Sequence, residues 1–205
     1  CPKKDIDKIM LLVQGLIFPK ADERKIGIAS KLIVKALNVA TGISIEDVEK
    51  SWKKTGDLGL SAEELIKKKK QHTLFSSDDL TVEKVFKNIQ KLSTIEGIGS
   101  TDVKLKTIAE LLTSAKPLES RYIIRTLLED LRVGLGEGTL RDAIAIAYYQ
   151  RNGGIIDEES KDPSFGAGSE LTKIRDKIQE AYDITNDYAI VAQMIIEKDI
   201  EVLNT

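Results

Sequence analysis

The sequence is short of the side chains that build disulfides and zinc sites. Its 205 residues contain one cysteine and one histidine. One cysteine cannot form a disulfide within the chain, and these two residues cannot supply a Cys/His zinc site. No apolar run reaches the roughly 18 residues of a membrane span, and the N-terminal Cys1 to Lys4 precedes no apolar core of a signal peptide. These absences favour a reducing, cytoplasmic location.

The sequence also lacks an excess of charge of one sign. Charged residues make up 31% of the chain, yet the net charge is only -2, so overall charge does not indicate a nucleic-acid partner. With 41% hydrophobic residues, the chain can bury a substantial core as one domain or two small ones. A polyanionic partner would have to be held by local basic clusters, which occur at Lys67 to Lys70, at Lys104 with Lys106, and at Arg121, Arg125 and Arg132.

Helical periodicity runs through almost the whole chain. The 3–4 spacing of apolar residues at Ile6, Ile9, Met10 and Val13 is typical, and we predict about ten helices, no strand pair and an all-α fold. A capping box at Ser61 to Glu64 and Pro117 are expected to start helices. Gly42, Gly56, Gly97 and Gly153 are expected near helix ends, residues 153–168 in a surface loop, and residues 169–202 in two closing helices.

A short pattern occurs twice. Residues 25–30, Lys-Ile-Gly-Ile-Ala-Ser, are followed 107 positions later by residues 132–137, Arg-Val-Gly-Leu-Gly-Glu. Both read basic, apolar, glycine, apolar, small, polar, and each leads from one apolar helix into another. We expect two related helical halves forming one compact domain over residues 1–205, the alternative being a chance match of a degenerate pattern.

The second copy opens a glycine-rich stretch, RVGLGEGTLRDA, at residues 132–143. A dinucleotide fingerprint would follow a strand, but the residues before Gly134 have helical spacing, and the Gly-Lys-Ser/Thr of a Walker loop is absent. What remains is a glycine turn between two helices, whose first-turn N–H groups could meet an anion. The alternative is a plain helix–helix corner capped by Thr139 or Glu137.

Basic residues precede this turn. At about 100° per residue, Arg121, Arg125 and Arg132 share a sector apart from the apolar one. Their planar guanidinium groups suit phosphate oxygens, although a solvated charged face is the alternative. A second candidate cradle, residues 97–100 (Gly-Ile-Gly-Ser), precedes a helix bearing Lys104 and Lys106. Together these features predict contact with an extended polyanion, with Gly99, Ser100 and Lys104 as candidate binding residues.

Two long stretches, PLESRYIIRTLLEDLRVGLGEGTLRDAIA and DIDKIMLLVQGLIFPKADERKIGIASKLIVKAL, resemble the N-terminal DNA-binding domain of archaeal and eukaryotic ATP-dependent DNA ligases. The resemblance extends from about Asp5 to the C-terminus. It implies an all-helical domain of two similar halves that grips duplex DNA from the minor-groove side at a nick. It also implies that Gly27, Lys31, Gly134, Gly136 and Thr139 approach backbone phosphates, and that Arg121 and Arg125 lie near the DNA or brace the turn.

The chemistry of that family is not encoded in these residues. ATP-dependent ligases carry a Lys-x-Asp-Gly motif whose lysine takes AMP, and the string does not occur here. We therefore expect a non-catalytic piece that needs no cofactor or metal, with ATP and Mg belonging to the parent ligase. Because the chain starts without Met, stops before an adenylation domain and lacks an initial helix of the family, it is expected to be part of a longer protein.

A second interaction motif lies in KKKKQHTLF, residues 67–75. Gln71, Leu74 and Phe75 resemble the shortened box by which archaeal ligases dock on the sliding clamp, the proliferating-cell nuclear antigen. In such a box the amide forms hydrogen bonds while the apolar side chains fill a pocket. This copy ends in one aromatic residue where two are usual. The alternative is a helix end whose Leu74 and Phe75 pack into the core.

The combined prediction is a domain that binds duplex or nicked DNA through its backbone, without a base code, and positions a DNA ligase for nick sealing in replication and repair. Double-stranded DNA and the sliding clamp are its expected partners, in an archaeal cytoplasm near the nucleoid. The rival prediction is a helical protein-interaction module that docks the clamp and does not touch DNA. Binding of nicked DNA at two salt concentrations distinguishes the two.

Overall fold

The structure, a computed structural model, describes residues 3–69, 79–156 and 168–204. It confirms the all-α prediction, because the described residues form ten α-helices, two short 3-10 helices and no strand. The α-helices are α1 (Ile6–Val13), α2 (Ser30–Thr41), α3 (Ile45–Thr55), α4 (Leu58–Lys67), α5 (Val82–Thr94), α6 (Ser100–Ser114), α7 (Pro117–Leu127), α8 (Glu137–Arg151), α9 (Gly168–Thr185) and α10 (Tyr188–Lys198). The 3-10 helices are Lys3–Asp5 and Ile200–Asn204.

Local sequence signals set most helix boundaries. Pro117 is the first residue of α7, as expected. Gly42 and Gly56 end α2 and α3 in the left-handed conformation, at φ 72° and 66°. The predicted capping box at Ser61 is wrong, because Ser61 lies inside α4. The cap of α4 is Asp57, four residues earlier, whose carboxylate accepts hydrogen bonds from the amides of Gly59 and Leu60.

The chain divides into two compact units. The first, here called the central unit, comprises Gly15–Phe18 and Asp22–Arg132. In it α2 packs against α6 and α4 packs against α7. Its core includes the fully buried Ile33, Leu37, Ile108 and Leu112. The α4–α7 packing is close: a Cβ added to Gly59 would lie 2.8 Å from the carbonyl oxygen of Arg121.

The second unit, here called the terminal unit, comprises Cys1–Gln14, Pro19–Ala21 and Val133–Thr205. In it α1 packs against α10, and α8 packs against α9. Leu171, Ile178 and Val191 are buried in its core. The rings of Tyr182 and Tyr188 stack with centroids 4.0 Å apart, which joins the ends of α9 and α10.

The same helix corner occurs in both units, which supports the prediction of two related halves. Residues 55–57 are Thr-Gly-Asp and residues 185–187 are Thr-Asn-Asp. In both, the middle residue is left-handed, with φ 66° and 51°, and the threonine hydroxyl donates to the carbonyl of the aspartate. In both, the aspartate carboxylate accepts from the amide two residues on, at 2.7 Å from the nitrogen of Gly59 and of Ala189.

The repeated glycine turns precede matching helices. The helix after the first turn begins at Ser30 and the helix after the second at Glu137, which keeps the 107-residue offset of the sequence pattern. The helix that leads into each turn packs in the unit that does not contain that turn: α1 packs against α10, and α7 packs against α4.

Candidate nucleic-acid interface

The first glycine turn, residues 25–29, holds its apolar side chains inward and its backbone outward. Ile26 and Ile28 are buried, at 3% and 9% exposure, whereas the intervening Gly27 is exposed. Gly27 is left-handed, at φ 64°, with no atom within 4 Å of an added Cβ. Neither the amide of Gly27 nor that of Ile28 has an acceptor among the described residues. Open space beside these amides leaves room for a ligand's oxygen atoms.

The helix that follows adds positive potential to the first turn. It begins at Ser30, and its N-cap, Ala29, has no side chain that can satisfy the first-turn amides. Lys31 is exposed in that first turn, and Lys35 is exposed one turn later. Helix dipole, free amides and lysine therefore favour an anion at this end of α2, as the resemblance implied for Gly27 and Lys31.

The second turn is exposed over its whole length, from Arg132 to Thr139. An added Cβ at Gly134 or Gly136 would meet nothing within 4 Å. Gly136, the N-cap of α8, has φ -83°, so its backbone is not left-handed. The alternative of a corner capped by Thr139 or Glu137 is not found, since no side chain caps this helix. Among the described residues, the amides of 133–138 have no acceptor.

One acidic residue stands at the start of α8. Glu137 pairs with Lys20 and accepts a hydrogen bond from the hydroxyl of Tyr182 at 2.8 Å. The hydrogen bond from Lys20, followed by that from Tyr182, lowers the pKa of Glu137. Lys20 thereby neutralises the carboxylate that would oppose an anion at this turn. Sequence reasoning missed Lys20, which precedes the glycine turn by more than a hundred residues and has no motif around it.

The third candidate cradle, residues 97–100, is a tight turn between α5 and α6. Gly97 and Gly99 are left-handed, at φ 89° and 83°, with Ile98 fully exposed between them. Ser100 is the first residue of α6 and donates its amide to the carbonyl of Gly97 at 3.2 Å. One amide of this turn is therefore already used. Lys104 is half-buried on α6 and Lys106 is exposed.

Arg125 does not lie on an open charged face. Its guanidinium group donates to one carboxylate oxygen of Asp57, from Nη2 at 2.6 Å and from Nε at 3.1 Å. The side chain of Arg125 is 11% exposed and that of Asp57 is 5% exposed. Nη1 donates to the carbonyl of Leu131 at 3.4 Å. Of the two roles that the resemblance left open for Arg125, this geometry is that of a brace. The sector of α7 that was predicted to be solvated is covered at Arg125 by α4.

The other two arginines are also paired. Arg121 forms an ion pair with Glu63 on α4. Arg132 is left-handed, at φ 53°, and its side chain is 47% exposed. It donates from Nη1 to the carbonyl of Gly56 at 3.3 Å and from Nε to Asp130 at 2.8 Å. Arg132 is the last residue of the central unit, so Gly134, Gly136 and Thr139 belong to the terminal unit.

Two of these arginines approach one acid that sequence reasoning missed. Asp57 caps α4, pairs with Arg125, and lies 3.7 Å from Nη1 of Arg132. Burial alone raises the pKa of Asp57, but hydrogen bonds from Arg125 and from the amides of Leu60 and Gly59 outweigh it, and the pKa is lowered. The Thr-Gly-Asp string at 55–57, a helix stop followed by a cap residue, is the signal that could have identified Asp57.

The predicted clamp residues Gln71, Leu74 and Phe75 lie outside the described residues. Within the described ranges, no cluster of His, Cys, Asp or Glu is arranged to hold a metal ion. The described part of the chain also contains no helix of sufficient length and apolarity to cross a membrane.

Comparison with known proteins places these features in a family. The family described as "DNA ligase N terminus" matches residues 1–145. The DNA ligase of Methanosphaera stadtmanae is 41% identical over 182 residues, covering 89% of this chain and 31% of that protein. The DNA ligase of Nanoarchaeum equitans is 44% identical over 146 residues, covering 71% of this chain and 26% of that protein.

A third relative extends the similarity over nearly the whole chain. The DNA ligase of Thermococcus onnurineus is 37% identical over 193 residues, which is 94% of this chain and 30% of that protein. The chain thus spans about a third of the length of these relatives. With the family match, the similarity confirms the resemblance seen in the sequence: this chain belongs to the DNA ligase N-terminus family.

Proposed function

We propose that this chain binds duplex or nicked DNA through the sugar–phosphate backbone, as the DNA-binding part of an ATP-dependent DNA ligase. The observation that carries the proposal is the first turn, where free amides of Gly27 and Ile28 meet the uncapped start of α2 beside the exposed Lys31. Such a site attracts phosphate whatever the base, because amides and lysine read charge and not base edges.

The other candidates would supply further contacts to phosphate. Gly134, Gly136 and Thr139 present exposed backbone at the start of α8, and Gly99, Ser100 and Lys104 lie at the start of α6. Of the three predicted arginines, Arg132 has the most exposed side chain, at 47%, and is the one best able to reach a phosphate. Arg121 and Arg125 act chiefly by holding α7 against α4. Recognition from the minor-groove side at a nick, which the resemblance implies, is part of the proposal.

The chemistry of ligation is assigned to the longer protein. The relatives named above are DNA ligases about three times as long as this chain, and the sequence holds no Lys-x-Asp-Gly string. We assign ATP, Mg and the AMP-accepting lysine to the parts of such a ligase beyond this chain. The role of this chain is then to place that machinery at a nick.

Clamp docking is proposed for a separate segment. Gln71, Leu74 and Phe75 carry it, following a run of lysines at 67–70. The amide and the two apolar side chains fit a motif that uses a few buried anchors. If this segment alone carried function, the chain would be a protein-interaction module, and DNA would not bind.

The test is binding of a fluorescent nicked duplex, measured by anisotropy on two duplexes of unrelated base sequence. We expect saturable binding with affinities that agree within about threefold, since each specific base contact would add about 1–3 kcal/mol. Absence of binding to either duplex would support the interaction-module alternative. A strong preference for one sequence would contradict recognition through the backbone.

A further inference from the structure

The residue that follows the end of α7 has a backbone conformation that its side chain disfavours. Leu128 ends the helix, and the next residue, Glu129, is left-handed at φ 55°. The amide of Glu129 donates to the carbonyl of Thr126 at 3.0 Å, and that of Asp130 donates to the carbonyl of Arg125 at 2.9 Å. This is the Schellman arrangement, in which the left-handed position is usually glycine. A glutamate there carries a steric cost that glycine would avoid.

The side chain of this glutamate makes a contact that glycine could not make. Oε1 of Glu129 accepts a hydrogen bond from the backbone amide of Ile26, at 2.9 Å and across 103 positions of sequence. Ile26 lies at the start of the first glycine turn, directly before Gly27. The contact lies within the central unit. The exit of α7 is thus tied to the turn that carries the proposed phosphate site.

The two glycine turns differ in the burial of their apolar side chains and in the hydrogen bonding of the amide that Glu129 contacts in the first turn. In the first, Ile26 and Ile28 are buried, at 3% and 9% exposure. Their counterparts in the second turn, Val133 and Leu135, are exposed at 36% and 39%. The amide of Ile26 is held by Glu129, whereas that of Val133 has no acceptor among the described residues. The first turn is thus held by burial and by a hydrogen bond that the second turn lacks within the described part of the chain.

We propose that Glu129 is a positioning residue for DNA binding: its carboxylate fixes the Ile26 amide and so holds the Gly27 and Ile28 amides in place for phosphate. The inference rests on the proposed function. A turn that is already ordered gives up less conformational freedom when it binds, so affinity is gained without any contact between Glu129 and DNA. The negative charge of Glu129 opposes DNA, which makes its effect separable from that of a direct phosphate ligand.

Three substitutions separate the hydrogen bond from charge and from backbone strain. Glu129→Gln removes the charge but keeps a side-chain oxygen that can accept from Ile26. Glu129→Ala removes charge and acceptor and keeps a Cβ in the left-handed position. Glu129→Gly removes charge and acceptor and also relieves the strain. The affinity of the chain for nicked duplex is measured by anisotropy, and exchange of the Ile26 amide is measured by NMR.

We expect Glu129→Ala and Glu129→Gly to bind DNA about fivefold more weakly than Glu129→Gln, the equivalent of one hydrogen bond of about 1 kcal/mol. The Ile26 amide should exchange faster in the Ala and Gly variants and stay protected in the Gln variant. Affinity of Glu129→Gly equal to that of Glu129→Gln would show that backbone strain, and not the contact, matters, and would overturn the proposal. Equal affinities of the Ala and Gln variants would also overturn it.

The same measurements separate this inference from the proposed function. If wild-type protein binds neither duplex, the proposed function fails, and the positioning role fails with it, even where Ile26 stays protected. If wild-type protein binds and the three variants bind equally, only the positioning role is overturned. Weaker binding without faster exchange at Ile26 would mean that Glu129 acts by another route, and would also count against the proposal.

Discussion

At the scale of single residues, the ion pair between Arg125 and Asp57 is a nearly buried contact next to the candidate interface. Both side chains are nearly buried, and the two nitrogens of Arg125 lie 2.6 and 3.1 Å from one oxygen of Asp57. Removing one partner of such a pair leaves the other as a buried charge without its main counter-ion. Asp57 would retain the amides of Gly59 and Leu60 and the more distant guanidinium group of Arg132, 3.7 Å away, which soften the loss.

We therefore predict that Arg125→Ala lowers the free energy of unfolding by about 3 kcal/mol, the low end of the range for breaking a buried pair. The measurement is urea denaturation followed by circular dichroism. Arg132→Ala is the matched control, because that side chain is 47% exposed and should cost less than about 1 kcal/mol. Equal stability of Arg125→Ala and wild-type protein would show that the pair is not formed.

The lowered pKa of Asp57 also leads to a prediction of how the free energy of unfolding depends on pH. Its pKa is lowered in the folded state, because hydrogen bonds from Arg125 and the α4 amides outweigh burial. A lowered folded pKa gives stability that is present above the ordinary aspartate value of about 3.9 and is lost as pH falls through the folded value. Below pH about 4, Asp57→Asn should lose less stability than wild-type protein. Parallel pH curves for the two proteins would contradict this assignment.

The scale of helices and turns shows what sequence could and could not predict. Pro117 and the left-handed Gly42 and Gly56 could be predicted because they act on their own backbone. The burial of Arg125 could not, because Asp57 lies 68 positions away and only the packing of α4 on α7 brings it close. The contact of Glu129 with the Ile26 amide spans 103 positions and could not be predicted from sequence for the same reason.

Gly136, in the second glycine turn, should tolerate a larger side chain without loss of stability. Gly136 has φ -83° and ψ 161°, a conformation that valine adopts readily, and an added Cβ meets nothing. Gly136→Val should therefore leave stability within about 0.5 kcal/mol of wild type. It should still weaken DNA binding, because the side chain stands where amides approach phosphate.

Gln150→Val is the control for Gly136→Val, since it adds the same exposed side chain in the last turn of α8. It should change neither stability nor DNA affinity. Thermal unfolding and anisotropy on nicked duplex measure both quantities. If Gly136→Val binds DNA as wild-type protein does, the second turn is a plain connection between helices and carries no phosphate.

At the scale of the whole molecule, DNA binding and clamp docking are assigned to different segments. Changing Gln71 and Phe75 to Ala should weaken binding to the sliding clamp by about 2 kcal/mol, because a short box depends on a few anchors. The affinity of this double variant for nicked DNA should not change. Titration of labelled clamp and of labelled duplex checks the two surfaces in parallel.

The folding of the double variant decides between the two interpretations of residues 71–75. If Leu74 and Phe75 pack into the core, the double variant should lose helical circular dichroism and DNA binding together. If they form a docking box, helicity and DNA binding should be retained while clamp binding falls. Unchanged clamp binding in a folded double variant would remove the clamp from the proposed partners.

The family could be predicted from sequence because its motifs are long and local. The pairing of α1 with α10 and of α7 with α4 could not, because it is set by packing of apolar faces far apart in sequence. The same long-range packing decides which basic residues remain exposed. Lys31 remains exposed, whereas Arg125 is nearly buried.

The most direct test of phosphate-backbone recognition is the salt dependence of DNA affinity, measured for wild-type protein, Lys31→Gln and the control Lys91→Gln, an exposed lysine on α5. Log affinity should fall linearly with log salt, by about 0.9 per neutralised phosphate. Lys31→Gln should make that slope shallower by about 0.9, and Lys91→Gln should leave it unchanged. A wild-type affinity independent of salt, or equal slopes for wild-type protein and Lys31→Gln, would contradict a phosphate site at the first turn.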